Sequence, residues 1–227
     1  LGVNMWYPKY KEYEEDSVRT DYEIAKQYLD ELYGETTPAA VYLRKSQPKD
    51  PLLAPEFNYP LCEPIPEKDN EFAIYLTLDA NSNMFLGQLA HEVAHLKNAY
   101  AMDLYIEGIN TNFGRKLYSH LGKEDEWLDW EDHYANHKDP LYADTYFLIK
   151  ELEETLGHDF IAKAFEHLER IESGKSVYRI NLNNWLNELD LDLKKKAVKI
   201  FKKHENKLSL HRNGKFIHTQ LIGEIEA

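Results

Sequence analysis

Only one cysteine, Cys62, occurs in the 227 residues. No internal disulfide can form, and no cysteine-rich zinc finger can be built. Long apolar runs are missing too: no stretch approaches the roughly 18 residues that a membrane-spanning helix needs. Positive charge is short, with 27 Lys and Arg against 40 Asp and Glu and a formal charge of -13. A phosphate backbone would be repelled, which argues against a nucleic-acid partner. The one basic cluster, Lys194 to Lys196 with Lys199, Lys202 and Lys203, flanks Leu193, Ala197, Ile200 and Phe201 at helical spacing. It reads as the solvated side of an amphipathic helix. Internal repeats and low-complexity tracts are lacking, and so is a charged-then-apolar leader. The last absence fits a cytosolic protein or a fragment whose leader was removed.

The residues that are present predict an α+β fold in a single domain over 1–227: a helix and small sheet over 1–80, a helical body over 81–206 and a hairpin over 207–227. Ser17 to Tyr33 reads as a helix capped by Ser17 and stopped by Gly34. "AAVYLRK" and "EFAIYLTLD", Glu71 to Asp79, read as strands. Six prolines between Gln47 and Pro66 exclude a regular helix and predict an extended surface loop, placed to wall a cleft. "ANSN" supplies capping side chains for a helix starting near Met84. The helical pattern then runs to about Lys150, broken near Gly122 and at Pro140. "PLYADTYFLIKELEETLG" and "HDFIAKAFEHLERIESG" read as helices ended by glycine, and Asn213-Gly214 as a hairpin turn.

His91, Glu92 and His95 form H-E-x-x-H. At about 100° per residue both imidazoles project from one face of a helix and could grip one zinc ion, with Glu92 beside them to hold a water. Leu86, Leu89, Val93 and Leu96 fall about 140° to 220° away, so the opposite side packs into a core. A catalytic zinc wants a third protein ligand and one open position. Glu107 follows His95 after eleven residues. Asp103 is nearer, and Glu126, Glu131, His133 and His137 are more distant competitors. An unbroken helix through Phe113 would put Glu107 about 18 Å along the axis from His95, out of reach. A break is therefore expected between Leu96 and Ile106, around Asn98 to Asp103.

"LAHEVAHL" followed by "YIEGINTNF" resembles the zincin metallopeptidases of the glutamate-ligand type, the gluzincins, over roughly Glu71 to Phe165. "LYADTYFLIKELEETLGHDFIAKAF" is similar to the helical segment that follows in such enzymes. The resemblance implies a zincin-like fold, with His91, His95 and Glu107 as ligands of Zn2+, Glu92 as general base, and a peptide or protein substrate. It also implies that the Gly108 position lets two helices approach closely, and that a strand at the sheet edge beside the motif helix pairs with extended substrate, a part that falls to Glu71 to Asp79. Tyr142, Tyr146 or His133 is the expected oxyanion donor. The usual alanine two places after the glycine is Asn110. Hydrolysis of peptide bonds through a zinc-bound water is thus the expected activity. A catalytically silent binding module on the same fold is the alternative, and hydrolysis of a nonpeptide amide a third.

Overall fold

The computed structural model describes residues 6–171 and 177–225. It is an α+β protein, 56% helical and 13% strand, with small sheets on a helical body. Two compact units divide the chain: Leu1–Ala99 with Phe113–Asp129, and Tyr100–Asn112 with Trp130–Ala227. Two helices, α3 (Leu104–His120) and α4 (Glu124–Asn136), contribute residues to both. Among the described residues no helix is long and apolar enough to cross a membrane.

The first unit contains β1 (Tyr10–Glu12), α1 (Asp16–Tyr33), β2 (Ala40–Pro48), β3 (Leu61–Pro64), β4 (Glu71–Leu76) and α2 (Phe85–Ala94). Helix α1 buries Val18, Tyr22, Ala25, Leu29 and Tyr33, the three- and four-residue spacing of one helical face. It stops at Gly34, whose φ of 91° suits a residue without Cβ. The expected Ser17 cap is not formed. Ser17 lies inside the helix, and Glu15 holds the capping position without a side-chain bond.

The four strands are ordered β1-β2-β4-β3, with β2 parallel to β4 and β3 antiparallel to it. Strand β4 is therefore central, which removes Glu71 to Asp79 as a strand free to pair with substrate. Its run Phe72 to Leu76 is buried throughout, as expected for a strand covered on both faces. On one face Tyr10, Ala54, Ile65, Ala73 and Tyr75 form a cluster flanked by Tyr42 and Phe57. Helix α2 packs against β4 and α1.

The segment from Gln47 to Pro66 is extended but not wholly a loop. It finishes β2 and contains β3, an edge strand. Pro64 is tolerated there because a strand paired on one side only leaves half its backbone groups outside the ladder.

The second unit holds α5 (Leu141–Leu156), α6 (His158–Lys163), the antiparallel pair β5 (Leu168–Arg170) and β6 (Tyr178–Ile180), α7 (Leu182–Leu186), α8 (Leu191–Ser209) and α9 (Ile222–Ile225). Its core centres on Trp185, which stacks on Phe160 at 4.7 Å and meets Phe201 edge-on, with its indole N–H donating to the Phe160 carbonyl. Along α8, Ala197, Ile200, Phe201 and Leu208 are buried, while Lys195, Lys196, Lys199, Lys202 and Lys203 are exposed.

Two expectations fail in this unit. The helix from His158 ends by His167 and passes into β5; its expected stop, Gly174, lies outside the described residues. Asn213-Gly214 makes no hairpin. Only Gly214 takes a positive φ (54°) while Asn213 is extended (φ -144°), so the two-residue turn that needs both is not formed and a short 3-10 turn follows.

Candidate metal centre

Helix α2 is fixed at both ends within the first unit. At its start the Tyr118 hydroxyl accepts the Gly87 N–H (3.0 Å) and donates to the Asn83 carbonyl (2.7 Å). The Ser82 hydroxyl accepts the Met84 N–H just ahead of the helix, but Met84 itself holds the capping position without a side-chain bond, so the expected cap from "ANSN" is not formed. In the middle, Gln88 ties the helix to the end of β4: its carbonyl oxygen accepts the Thr77 and Leu78 N–H groups and its amide donates to the Thr77 hydroxyl. Past Ala94 the chain tightens into a 3-10 turn over His95–Lys97, where Lys97 donates to the Gly34 carbonyl.

His95 keeps right-handed helical angles (φ -62°, ψ -19°), so the one-turn relation to His91 survives the change of helix type. The two imidazoles lie 5.1 Å apart between ring centres, at 66°. A ring nitrogen of each and a carboxylate oxygen of Glu92 all fall within 4.8 Å of one another. Glu92 is buried, 4% exposed, and both histidines are half-buried. Two imidazole nitrogens beside a carboxylate are a donor set suited to zinc, and a cation there would offset the cost of keeping an acid out of water. The histidine half of the predicted site is thus assembled by local structure alone.

Cys62, which the sequence marks only as unable to form an internal disulfide, lies on β3. Burial pushes its thiol well above the ordinary range, and the Glu92 and then the Glu63 carboxylates push the same way. The protonated thiol is therefore favoured there. Its neighbour Glu63 is also raised by burial, and accepts the Tyr75 hydroxyl at 3.2 Å. Composition carries no signal for either, because both fall in the proline-rich segment.

The helical break falls where it is required. Asn98 is extended, the chain is irregular to Asp103, and α3 begins at Leu104. In the second unit, Ala101 bridges to Tyr178. Glu107 lies in the first turn of α3 and is 3% exposed. At Gly108 the helix closely approached is α5: an added Cβ would run into the Thr145 carbonyl oxygen and sit 2.7 Å from Ile149. With Gly108 facing α5, Asn110 falls about 160° away around α3, on the opposite side from that contact, Glu107 about 100° away on its flank, and Thr111 about 60° away. All three are buried, at 0%, 3% and 1% exposure.

Of the competing ligands, Asp103, Glu131 and His133 make the following contacts. Asp103 is fully buried; one carboxylate oxygen accepts the Tyr105 N–H (2.8 Å) and the other the Ile180 N–H (3.0 Å). Burial raises its pKa to about 6 against the lowering effect of those bonds. Glu131 accepts the Tyr146 hydroxyl (2.6 Å) and the Lys150 ammonium (3.0 Å) on one oxygen. Tyr146, an expected oxyanion donor, is fully buried in that bond, whereas Tyr142 is 38% exposed. His133 meets Trp130 edge-on and lies 5.0 Å from His137; burial, then His137, lowers its pKa. Glu126 sits in the acidic first turn of α4. A second cluster, Glu166, His167 and Glu188, is a surface ion-pair group in which Glu188 bonds both Lys163 and His167.

Comparison with known protein families, curated proteins and solved structures finds no match to this chain.

Proposed function

We propose that this chain is a zinc metallopeptidase, a hydrolase of peptide bonds. The observation that carries the reading is the grouping of His91, Glu92 and His95 within ligand distance of one another at the end of a helix secured to a sheet. His91 and His95, as neutral imidazoles, would hold the metal. Glu107 is assigned as third ligand from the Glu-Gly that follows the motif in sequence. Zinc bound there supplies a Lewis acid and lowers the pKa of a water from about 15.7 towards 7.

The remaining work belongs to the chain. The Glu92 carboxylate accepts the proton of the attacking water and passes it to the leaving nitrogen. Its burial keeps that carboxylate in a low-dielectric setting where a charged partner acts strongly. The edge strand β3, which packs against α2, takes the role of aligning an extended substrate by main-chain hydrogen bonds.

The test joins two measurements on the full chain: anomalous scattering at the zinc edge from crystals grown with zinc, and cleavage of a mixed peptide library. Zinc on His91 and His95 together with cleavage that disappears in Glu92→Gln supports the assignment. Zinc without cleavage of any peptide would favour the silent binding module, and no zinc at the histidines would end the metal reading.

A further inference from the structure

Asn110 is a fully buried primary amide for which neither the nitrogen nor the oxygen has a hydrogen-bond partner among the described residues. An orphaned buried polar group of this kind costs on the order of 1–3 kcal/mol, and native proteins rarely leave one without a reason. Packing does not supply one, since an apolar residue of the same volume would fill the space without that cost.

Its position does supply one. Asn110 is three residues after Glu107, so the two side chains are neighbours on the surface of α3, about 60° apart around the axis. The contact of Gly108 with Thr145 and Ile149 fixes the rotation of α3 against α5, and leaves Asn110 on the opposite side of α3 with Glu107 on the flank next to it. We propose that Asn110 is a positioning residue for Glu107, its amide donating a hydrogen bond to the Glu107 carboxylate when that carboxylate ligates a divalent cation. The inference rests on the metallopeptidase reading and adds a residue to it. A ligating carboxylate has a second oxygen to satisfy, and an amide donor on it fixes its rotamer before the ion arrives.

The experiment titrates the full chain with zinc chloride and separately melts the metal-free protein, for wild type, Asn110→Leu and Asn110→Ala. Both variants are expected to weaken zinc binding by about 10- to 100-fold. The metal-free melting temperature of Asn110→Leu is expected to stay level or rise, because the orphaned amide is gone at nearly equal volume. A purely structural amide gives the opposite pattern, a lower metal-free melting temperature with unchanged zinc affinity, and that result overturns the proposal. Should Asn110→Leu fail to fold, unchanged affinity in Asn110→Ala overturns it equally. A wild-type chain that takes up no zinc defeats the metallopeptidase reading itself. A zinc-binding wild type with indifferent Asn110 variants defeats only the role assigned to Asn110.

Discussion

Glu92 is the residue on which chemistry and structure are most easily separated. Its replacement by glutamine preserves size and hydrogen bonding but removes the proton acceptor. Hydrolysis is expected to fall by about 10²- to 10⁴-fold while zinc content and melting temperature stay near wild type. Turnover at the wild-type level on any identified peptide would exclude it as the base. The third ligand is decided by a pair of variants with zinc measured in each. Glu107→Ala is expected to lose metal. Glu131→Ala should keep it, because Glu131 is already bonded to Tyr146 and Lys150. The reverse pattern would move the ligand to the "WEDHYAN" segment. At this scale the sequence was informative about His91, Glu92 and His95, since a four-residue spacing on a helix is a local property. It was silent about Cys62 and Glu63, whose neighbours are set by strand pairing.

Helix α3 depends on Asp103, just ahead of it, and on Gly108 in its first half. Asp103 holds the Tyr105 and Ile180 N–H groups together, so Asp103→Ala leaves two buried donors unsatisfied and should cost about 2–5 kcal/mol in chemical denaturation. That difference has a defined pH dependence. The folded pKa of about 6 lies above the ordinary 3.8. Folding therefore takes up a proton between these values, and the stabilisation is complete below about pH 4 and fades as pH rises through 6. The gap between wild type and Asp103→Ala should shrink across this window by on the order of 3 kcal/mol. A gap that grew with pH would contradict the direction of the shift. Gly108→Ala drives a methyl group into the Thr145 carbonyl and is expected to lower stability by about 1–3 kcal/mol; a neutral result would mean that α3 and α5 separate at little cost. Element boundaries were legible where glycine, proline or a change of period marks them: Gly34, Gly122, Pro140 and Gly157 all fall at helix ends. Strand order was not legible. That Glu71 to Leu76 lies between β2 and β3 depends on pairing with residues up to about 30 positions away, and an apolar run looks the same at the centre of a sheet as anywhere else.

For the whole chain, a metal that binds the folded form alone must stabilise it. Zinc at 100 times its Kd should add about 2.7 kcal/mol at neutral pH, seen as a rise in melting temperature that a chelator reverses. Protonation of the two imidazoles in acid should abolish the rise, because only the neutral ring donates a lone pair to the metal. A shift that persisted at pH 4 would count against a two-histidine centre. The α+β class was readable from patterning, whereas the partition of the chain into two units was not, because it follows contacts between residues far apart in sequence.

That partition bears on the order in which the chain can acquire structure during synthesis. The amide of Gly87 is closed by a hydroxyl 31 residues further on, at Tyr118. The carboxylate of Asp103 waits for an N–H 77 residues later, at Ile180, and the Leu104 N–H for the Thr219 hydroxyl, 115 residues away. Neither unit is one continuous stretch. A truncation at Ala99 would strip α2 of the tyrosine that closes its first turn, and one beginning at Trp130 would leave Ile180 without Asp103. No single cut releases an intact half, and the stretch from Tyr100 to Asn112 leaves the ribosome long before its partners exist.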